Sequence, residues 1–220
     1  MAEFERTEEE TIQAIKDWWK ENGRAVIAGL LLGIGGLVGV RYWTTMQETN
    51  RQQASQLYQD VELALQSGNR EQASTQTDTL IKEYDGTVYA PLAALAVAKA
   101  EIEAGQLQQA EARLRWALEH SDSEEYQHLA RQRLARLLLA QNEADAAAAL
   151  LVDIKPGGYQ SIYAELRGDI SLAQDKPDAA RGHYQTALME ANTPLRRQLL
   201  EMKLAELAKA PPAEIDEAQP

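Results

Sequence analysis

The feature that most constrains this chain is a long apolar run near its N-terminus, Ala25–Val40, with the sequence AVIAGLLLGIGGLVGV. Its sixteen residues carry no charge, and Arg24 and Arg41 bracket them. Arg41 is the only charge up to Met46, so a charge-poor stretch of twenty-two residues is available. As a helix, that stretch is roughly 33 Å long, enough to cross the hydrocarbon core of a bilayer. The run therefore predicts a transmembrane helix over residues 25–46.

The flanks of the run distinguish this prediction from two alternatives. Trp18 and Trp19 precede the run, and Tyr42 and Trp43 follow it, as in the aromatic belts of membrane interfaces. A core helix of a soluble protein does not usually group aromatic and basic residues at both ends. A cleaved signal begins with a basic segment, whereas the first ten residues carry five glutamates and one arginine. The run is therefore interpreted as an uncleaved anchor.

Five glycines lie in the run and form two stripes on a helix. Gly29, Gly33 and Gly36 lie within about 60° of one another at 100° per residue. Gly35 and Gly39 form the second stripe. Small residues four apart allow another membrane helix to approach closely, although glycine is also common in transmembrane helices generally. The first stripe is therefore the candidate surface for packing on a partner helix.

The basic residues on either side of the run predict its orientation, because cytoplasmic flanks are enriched in Lys and Arg. The N-terminal flank has four and the C-terminal flank two: Arg6, Lys16, Lys20 and Arg24 against Arg41 and Arg51. The sequence thus predicts a cytoplasmic segment at 1–24, the span at 25–46, a periplasmic domain at 47–209 and a disordered tail at 210–220. The absence of cysteine is compatible with an oxidising compartment.

The N-terminal segment has an amphipathic pattern of its own. Ile12, Ile15, Trp18 and Trp19 fall on one face of a helix. Asn22-Gly23 is a typical helix-ending pair just before the span. We therefore expect a separate helix at the inner membrane surface, and the alternative is a helix that continues directly into the span.

Composition predicts an all-α protein and argues against several classes of function. The chain has 220 residues and a formal net charge of −12, without a basic stripe, which argues against nucleic-acid binding. Alanine, leucine, glutamine and glutamate dominate, and no window shows the alternation of a strand. His120, His128 and His183 have no metal-ligand spacing. With no cysteine and no nucleophile or phosphate-loop motif, we expect neither an enzyme nor a cofactor.

Regularly placed breakers divide the soluble part into short helices. They are Ser67-Gly68-Asn69, Asp85-Gly86, Gly105, Ser121-Asp122-Ser123, Gln141-Asn142, Pro156-Gly157-Gly158, Asp175-Lys176-Pro177 and Asn192-Thr193-Pro194. The segments between them run from about 11 to 18 residues, and apolar residues recur within them at helical spacing, for example Leu195, Leu199 and Met202 in the last.

The helices also repeat in pairs. Ala110, Leu114 and Ala117 recur seventy residues later as Ala180, Tyr184 and Ala187. Between them the expected set is Ala146 and Leu150, with Asp153 in place of the last alanine. Ala98 and Gly168 stand twelve residues before Ala110 and Ala180, as the small residue of a first helix does in tetratricopeptide repeats. About four helix pairs and a capping helix are predicted, a generic helical bundle being the alternative; Leu114, Leu150 and Tyr184 should be buried.

In an α-solenoid of this kind the first helices line a concave face that binds partner segments. The candidate partner groove is of mixed charge and consists of Tyr58, Glu62, Lys99, Glu103, His128, Arg131, Glu165 and Asp169. Each of these residues taken alone is more often an ordinary solvated surface residue.

Two blocks of the sequence resemble the YfgM family. The anchor block WWKENGRAVIAGLLLGIGGLVGVRYW contains Trp18-Trp19, Glu21-Asn22-Gly23 and Arg41-Tyr42-Trp43. The later stretch Glu165–Leu188, with Leu166-Arg167-Gly168, resembles the last repeat of that family. The resemblance implies a single-pass inner-membrane protein with a periplasmic tetratricopeptide-like domain, an ancillary subunit of the SecYEG translocon that works with the periplasmic chaperone PpiD.

The resemblance leaves two functions to consider. One is an adaptor at the translocon that passes emerging chains to chaperones. The other is a scaffold for a different envelope machine, such as cytochrome maturation or division. The resemblance brings no catalytic residues with it.

Overall fold

The computed structural model describes residues 6–209, and the side chains of residues 10–208. Over these residues it contains helices and turns but no strand, as predicted. The helices are α1 Arg6–Gln66, α2 Arg70–Glu83, α3 Tyr89–Glu103, α4 Leu107–His120, α5 Glu124–Ala140, α6 Ala144–Ala149, α7 Gln160–Ala173, α8 Pro177–Met189 and α9 Pro194–Lys209, with a 3₁₀ turn at Gly157–Tyr159. The predicted tail, 210–220, lies outside the described residues.

The chain divides into two compact units, Met1–Gln53 and Ala54–Pro220. Among the described residues, α1 is the one helix that is long and apolar enough to span a membrane, and the mean hydropathy of its apolar window, in the first unit, is 1.9. Only 6% of that window is buried, which argues against the alternative of a core helix. Leu32 is 78% exposed.

The expected helix end at Asn22-Gly23 is wrong, because α1 continues through both residues. The Asn22 side chain donates to the carbonyl of Trp18, one turn earlier, at 3.1 Å. A Cβ at Gly23 would lie 3.2 Å from the indole of Trp19, so the missing side chain makes room for that ring. Both residues are thus accommodated inside the helix, and the alternative of a continuous helix is what the structure has.

In the second unit, each of four helix pairs turns on a residue in the left-handed region. These residues are Gly68, Gly105, Asn142 and Asp175, with φ of 76°, 76°, 65° and 57°. Glycine, asparagine and aspartate are the residues that adopt this conformation most readily. After Gly105, the amide of Gln106 donates back to the carbonyl of Glu101 at 2.8 Å, the closure of a Schellman motif. The predicted breakers therefore end the first helices as expected.

Fully buried alanines follow these turns at a constant distance and define the repeat. Ala73, Ala110, Ala147 and Ala180 each stand five residues after the left-handed residue and are inaccessible to solvent. Twelve residues before them, the first helices carry Val61, Ala98, Ala135 and Gly168, all buried. This spacing confirms the tetratricopeptide-like pairing, including the leading pair.

The expected register of the third repeat is wrong by one residue. Ala147 and Leu151 are buried, at 0% and 6% exposure, whereas Leu150 is only half-buried. The helix α6 has six residues, and Asp153 takes a left-handed φ of 52° where the pattern expected an inward position. Pro156 follows, and its ring excludes a helical conformation before it. The second helix of this repeat is therefore a single short segment.

Gly168 lies where the two helices of the last pair approach most closely. An ideal Cβ at this position would lie 2.5 Å from Cδ1 of Tyr184. The Tyr184 ring thus occupies the space that any side chain at 168 would fill. Leu114 and Tyr184 are buried, at 0% and 1% exposure, as predicted.

A buried ion pair joins the first two helix pairs. Arg113 on α4 donates to Glu101 on α3 at 2.8 Å, to Asp78 on α2 at 3.0 Å and to Ser74 at 2.6 Å. Glu101 is 3% exposed, and a buried charge of this kind persists only with such partners. The cluster fixes three consecutive helices to one another.

Candidate partner-binding surface

Three tyrosines on the first helices of the repeats lie close together. Tyr58 in the last part of α1 and Tyr89 at the start of α3 have ring centroids 5.9 Å apart, and Tyr126 lies in the first turn of α5. Each of the three rings is half-buried. Burial, and then a hydrogen bond to Glu62, raises the pKa of Tyr58 to about 12. The nearby charges of Glu62 and Tyr126 contribute to this shift, so the Tyr58 phenol is neutral near pH 7.

A second group of rings lies between α5 and α7. The ring of His128 packs against Tyr159 with centroids 4.4 Å apart, and its Nδ1 lies 2.5 Å from the hydroxyl of Tyr163. Burial, followed by the charge of Arg131, lowers the pKa of His128, so the neutral imidazole is favoured. Arg131 also contacts the Tyr163 hydroxyl through a hydrogen bond.

These rings form what we call the aromatic band, which consists of Tyr58, Tyr89, Tyr126, His128 and Tyr159. Its members share partial exposure and a position on first helices or just before one. Half-buried aromatic rings provide a rigid apolar contact surface at low entropic cost. The band is therefore an accessible apolar surface of the kind enriched at protein interfaces.

Three further groove candidates are open to solvent. Lys99 and Glu103 pair one turn apart on α3 at 3.8 Å, with side chains 69% and 64% exposed. Such an exposed pair contributes little to stability. Glu62 is also exposed. The structure does not bring these three residues together with His128 and Arg131 in one enclosed site.

The prediction that Glu165 and Asp169 face an open groove is wrong. Glu165 is 3% exposed and accepts from Arg196 at 2.8 Å and from Lys203 at 3.0 Å. Asp169 accepts from Lys203 and from the Tyr184 hydroxyl, both at 2.6 Å. Two basic residues of α9 thus neutralise the carboxylates of α7. Glu165 is closed to a partner while α9 is in place, whereas the Asp169 side chain keeps 22% exposure.

The apolar residues that recur along α9 do not form its buried face. Leu195, Leu199 and Met202 are 78%, 37% and 55% exposed. Leu200 and Leu207 are buried instead. The face of α9 that packs on the domain carries Arg196 and Lys203 as well as these two leucines. The spacing of apolar residues alone does not identify this face.

No described residue packs against the first glycine stripe of α1, Gly29, Gly33 and Gly36. A Cβ at Gly29, Gly33 or Gly36 would meet no heavy atom within 4 Å. Gly33 and Gly36 border a shallow depression on α1 with Leu32, Leu37 and Val40. Among the side chains of residues 10–208 there is also no group of three or more His, Cys, Asp or Glu placed to hold a metal ion.

Comparison with known proteins places the chain in a family. A profile described as a tetratricopeptide repeat-like domain matches residues 16–209. The Escherichia coli K12 protein named "Ancillary SecYEG translocon subunit" is 30% identical over 206 residues, 94% of this chain and 99% of the relative. A Haemophilus influenzae protein of the same name is 32% identical over 200 residues, 91% and 97% of the two chains. No solved structure gives a significant match.

The chain belongs to this family, the YfgM family. The resemblance of the anchor block and of the last repeat therefore extends over almost the whole length of the chain. The repeat-like profile covers α1 from residue 16, including the apolar run, and every later helix to the end of α9.

The sequence pattern misses two features of this YfgM-type domain. It gives no sign that Arg196 and Lys203 reach back to α7, since the partners are more than thirty residues away in the chain. It also does not place Tyr89, Tyr126 and Tyr159 on the surface. Their positions soon after the breakers Asp85-Gly86, Ser121-Asp122-Ser123 and Pro156-Gly157-Gly158 are the signal that could have identified them.

Proposed function

We propose that this protein is a non-catalytic adaptor, anchored in the inner membrane by α1, at the SecYEG translocon. In this proposal the N-terminus is cytoplasmic and the repeat domain periplasmic. The aromatic band, with Glu62, Lys99, Glu103 and Arg131, binds partner proteins. By binding them, the protein links emerging secretory or outer-membrane proteins to periplasmic chaperones such as PpiD.

The observation that carries the proposal is similarity over nearly the full length to relatives named for the translocon. The E. coli relative is covered over 99% of its length, so both the anchor and the repeat domain are shared. A function that needs both parts can therefore be common to the two proteins.

Two features of the structure support the same role. The apolar window of α1 is almost entirely exposed, which suits a helix surrounded by lipid or by other membrane helices. The repeat domain has an accessible aromatic band, and aromatic rings are enriched at protein interfaces. Neither feature supplies a nucleophile or general base beside a pocket.

Co-purification from mild detergent tests the proposal. Tagged wild-type protein should recover the translocon subunits and PpiD. Gly33→Leu should weaken recovery of the translocon if the first glycine stripe packs on a membrane helix, because a side chain separates the two backbones. Gly39→Leu, on the second stripe, is the matched control and should retain it.

The band is tested by a second pair of variants. Arg131→Ala with His128→Ala should reduce recovery of the chaperone, while Arg115→Ala on the second helix α4 should not. Arg115 is a suitable control because its side chain is 44% exposed and pairs only within its own helix. If neither partner is recovered with wild-type protein, the translocon adaptor is the wrong function.

Topology is tested separately with protease added to spheroplasts. We expect digestion of the repeat domain, because the basic residues favour a cytoplasmic N-terminus. If the repeat domain is digested only after the membrane is disrupted, the orientation is the opposite of the one proposed.

A further inference from the structure

Helix α9 exposes an apolar stripe on one side. Leu195, Leu199 and Met202 stand at i, i+4 and i+7, and we call them the α9 stripe. They are exposed to 78%, 37% and 55%, although α9 is otherwise fixed to the domain by Arg196 and Lys203. Terminal repeats of solenoids usually carry a polar outer face, so three large apolar side chains here need an explanation.

The repeat itself indicates what α9 corresponds to. Leu166 on α7 is fully buried in the core shared with the earlier repeat. Leu200, thirty-four residues later, is fully buried in the core of the last helix pair. The helix α9 therefore occupies the position of a first helix in a fifth repeat.

On α7, the face equivalent to the stripe holds the second helix of the pair. Ser161 donates to the carbonyl of Ala187 on α8 at 2.8 Å, and Gly168 lies against Tyr184. Thirty-four residues after Ser161 and Gly168 come Leu195 and Met202. Leu195 and Met202 thus stand in register with the α7–α8 interface, and Leu199 corresponds to Glu165, which packs on the next helix, α9. No helix among residues 6–209 covers the α9 stripe.

We propose that the α9 stripe of one chain packs against the same stripe of a second copy of this chain, with the two helices antiparallel about a two-fold axis. In this arrangement Leu199 of each copy faces Met202 of the other, and Leu195 lies near the far end of the partner helix. The pattern is self-complementary, as a two-fold interface requires.

Charge supports the antiparallel orientation. Glu206 is exposed and continues the stripe one turn beyond Met202. Antiparallel packing brings each Glu206 to the N-terminal end of the other α9, where the helix dipole favours a negative charge. Parallel packing would instead place the two Glu206 carboxylates side by side, where they repel each other.

The contact is small, and this sets the conditions of the test. Three apolar side chains bury well under the about 800 Å² per partner of a standard stable interface. We therefore expect a weak dimer that forms when both copies are confined in one membrane, because confinement raises their effective concentration. Dilute protein in detergent should be mainly monomeric.

Cysteine crosslinking tests the proposal directly, because the natural chain has no cysteine. Full-length Met202→Cys, expressed with two different tags in the same cells, is treated in membranes with a short bismaleimide. We expect a product that carries both tags. Leu63→Cys is the matched control, since Leu63 on α1 is 61% exposed and should give no such product.

A second variant separates loss of the interface from loss of the fold. Leu199→Lys in the Met202→Cys background brings two unpaired ammonium groups to the interface and should lower the yield about tenfold or more. Its thermal unfolding should match that of Met202→Cys, because Leu199 is partly exposed. Absence of a two-tag product, equal yields from Met202→Cys and Leu63→Cys, or a product with a different protein would each overturn the proposal.

Discussion

Glycines in the two units of this protein differ in whether another part of the chain packs against them. Gly168 is small because Tyr184 of the next helix fills the space beside it. Gly29, Gly33 and Gly36 are equally regular in spacing, yet nothing lies within 4 Å of the Cβ position at any of them. The first case is explained within the fold, whereas in the second the fold leaves a helix face bare.

This difference separates the two meanings of a small-residue pattern. Where the chain provides the neighbouring helix, a glycine contributes to the stability of the domain. Where it does not, as along the membrane-spanning part of α1, a glycine has no packing role inside the domain, and any effect on helix association can be seen only in lipid or with a partner. Substitutions in the repeat domain should therefore change its stability, whereas substitutions in the glycine stripe should change only association in the membrane.

The largest effect is expected from the packed region. Leu114→Ala should lower the free energy of unfolding of the repeat domain by about 2–5 kcal/mol, since it leaves a cavity in a close-packed core. Leu31→Ala on α1, where the side chain is 65% exposed, should leave it unchanged. Denaturant titration of the full chain in detergent measures both. A loss below about 0.5 kcal/mol for Leu114→Ala would mean that the packing is misassigned.

The glycines give the sharpest contrast. Gly168→Ala should destabilise the domain by about 1–3 kcal/mol through overpacking against Tyr184. Gly182→Ala, on α8, has open space at its Cβ and should stabilise by up to about 1 kcal/mol through helix propensity. Thermal unfolding of the two variants compares these signs. Two shifts in the same direction would contradict the close approach at Gly168.

The register of α6 can be tested by neighbouring leucines. Leu151→Ala should cost about 2 kcal/mol or more, as for a buried leucine, and Leu150→Ala should cost less because its side chain is only half-buried. Urea midpoints of the two variants provide the measurement. A larger loss for Leu150→Ala than for Leu151→Ala would support the register expected from the sequence, in which Leu150 is buried.

The smallest effect on the domain is expected at the bare stripe. Gly33→Leu should leave the unfolding midpoint of the repeat domain unchanged within error, because a Cβ there meets nothing. The same preparation should insert normally into membranes. A shifted midpoint would show that the apolar, membrane-spanning part of α1 contributes to the stability of the repeats.

The sequence predicts the parts of this fold that depend on local chemistry. Gly105 and Asp175 end helices for reasons contained in their own backbone preferences, and the breakers therefore mark the helix ends correctly. The register of α6 fails because the segment ADAAAALL contains no large residue that distinguishes one helix face from the next. Several registers then bury nearly the same area.

The candidate surface was predicted less well, because its outcome depends on contacts between distant residues. Whether Glu165 is open or neutralised is decided by Arg196, thirty-one residues later. Spacing within one helix carries no information about that contact. His128 could be placed on the surface by repeat alignment, but its packing with Tyr159 depends on the turn before α7.

The left-handed turns within the helix pairs also affect how the domain can fold. Each left-handed turn joins two helices that pack on each other, so most contacts join residues close in sequence. Chains of such low contact order fold quickly, and repeat arrays can nucleate at one unit and propagate to its neighbours. A repeat can therefore bury its alanines as soon as the following helix is available, before the rest of the chain has been synthesised.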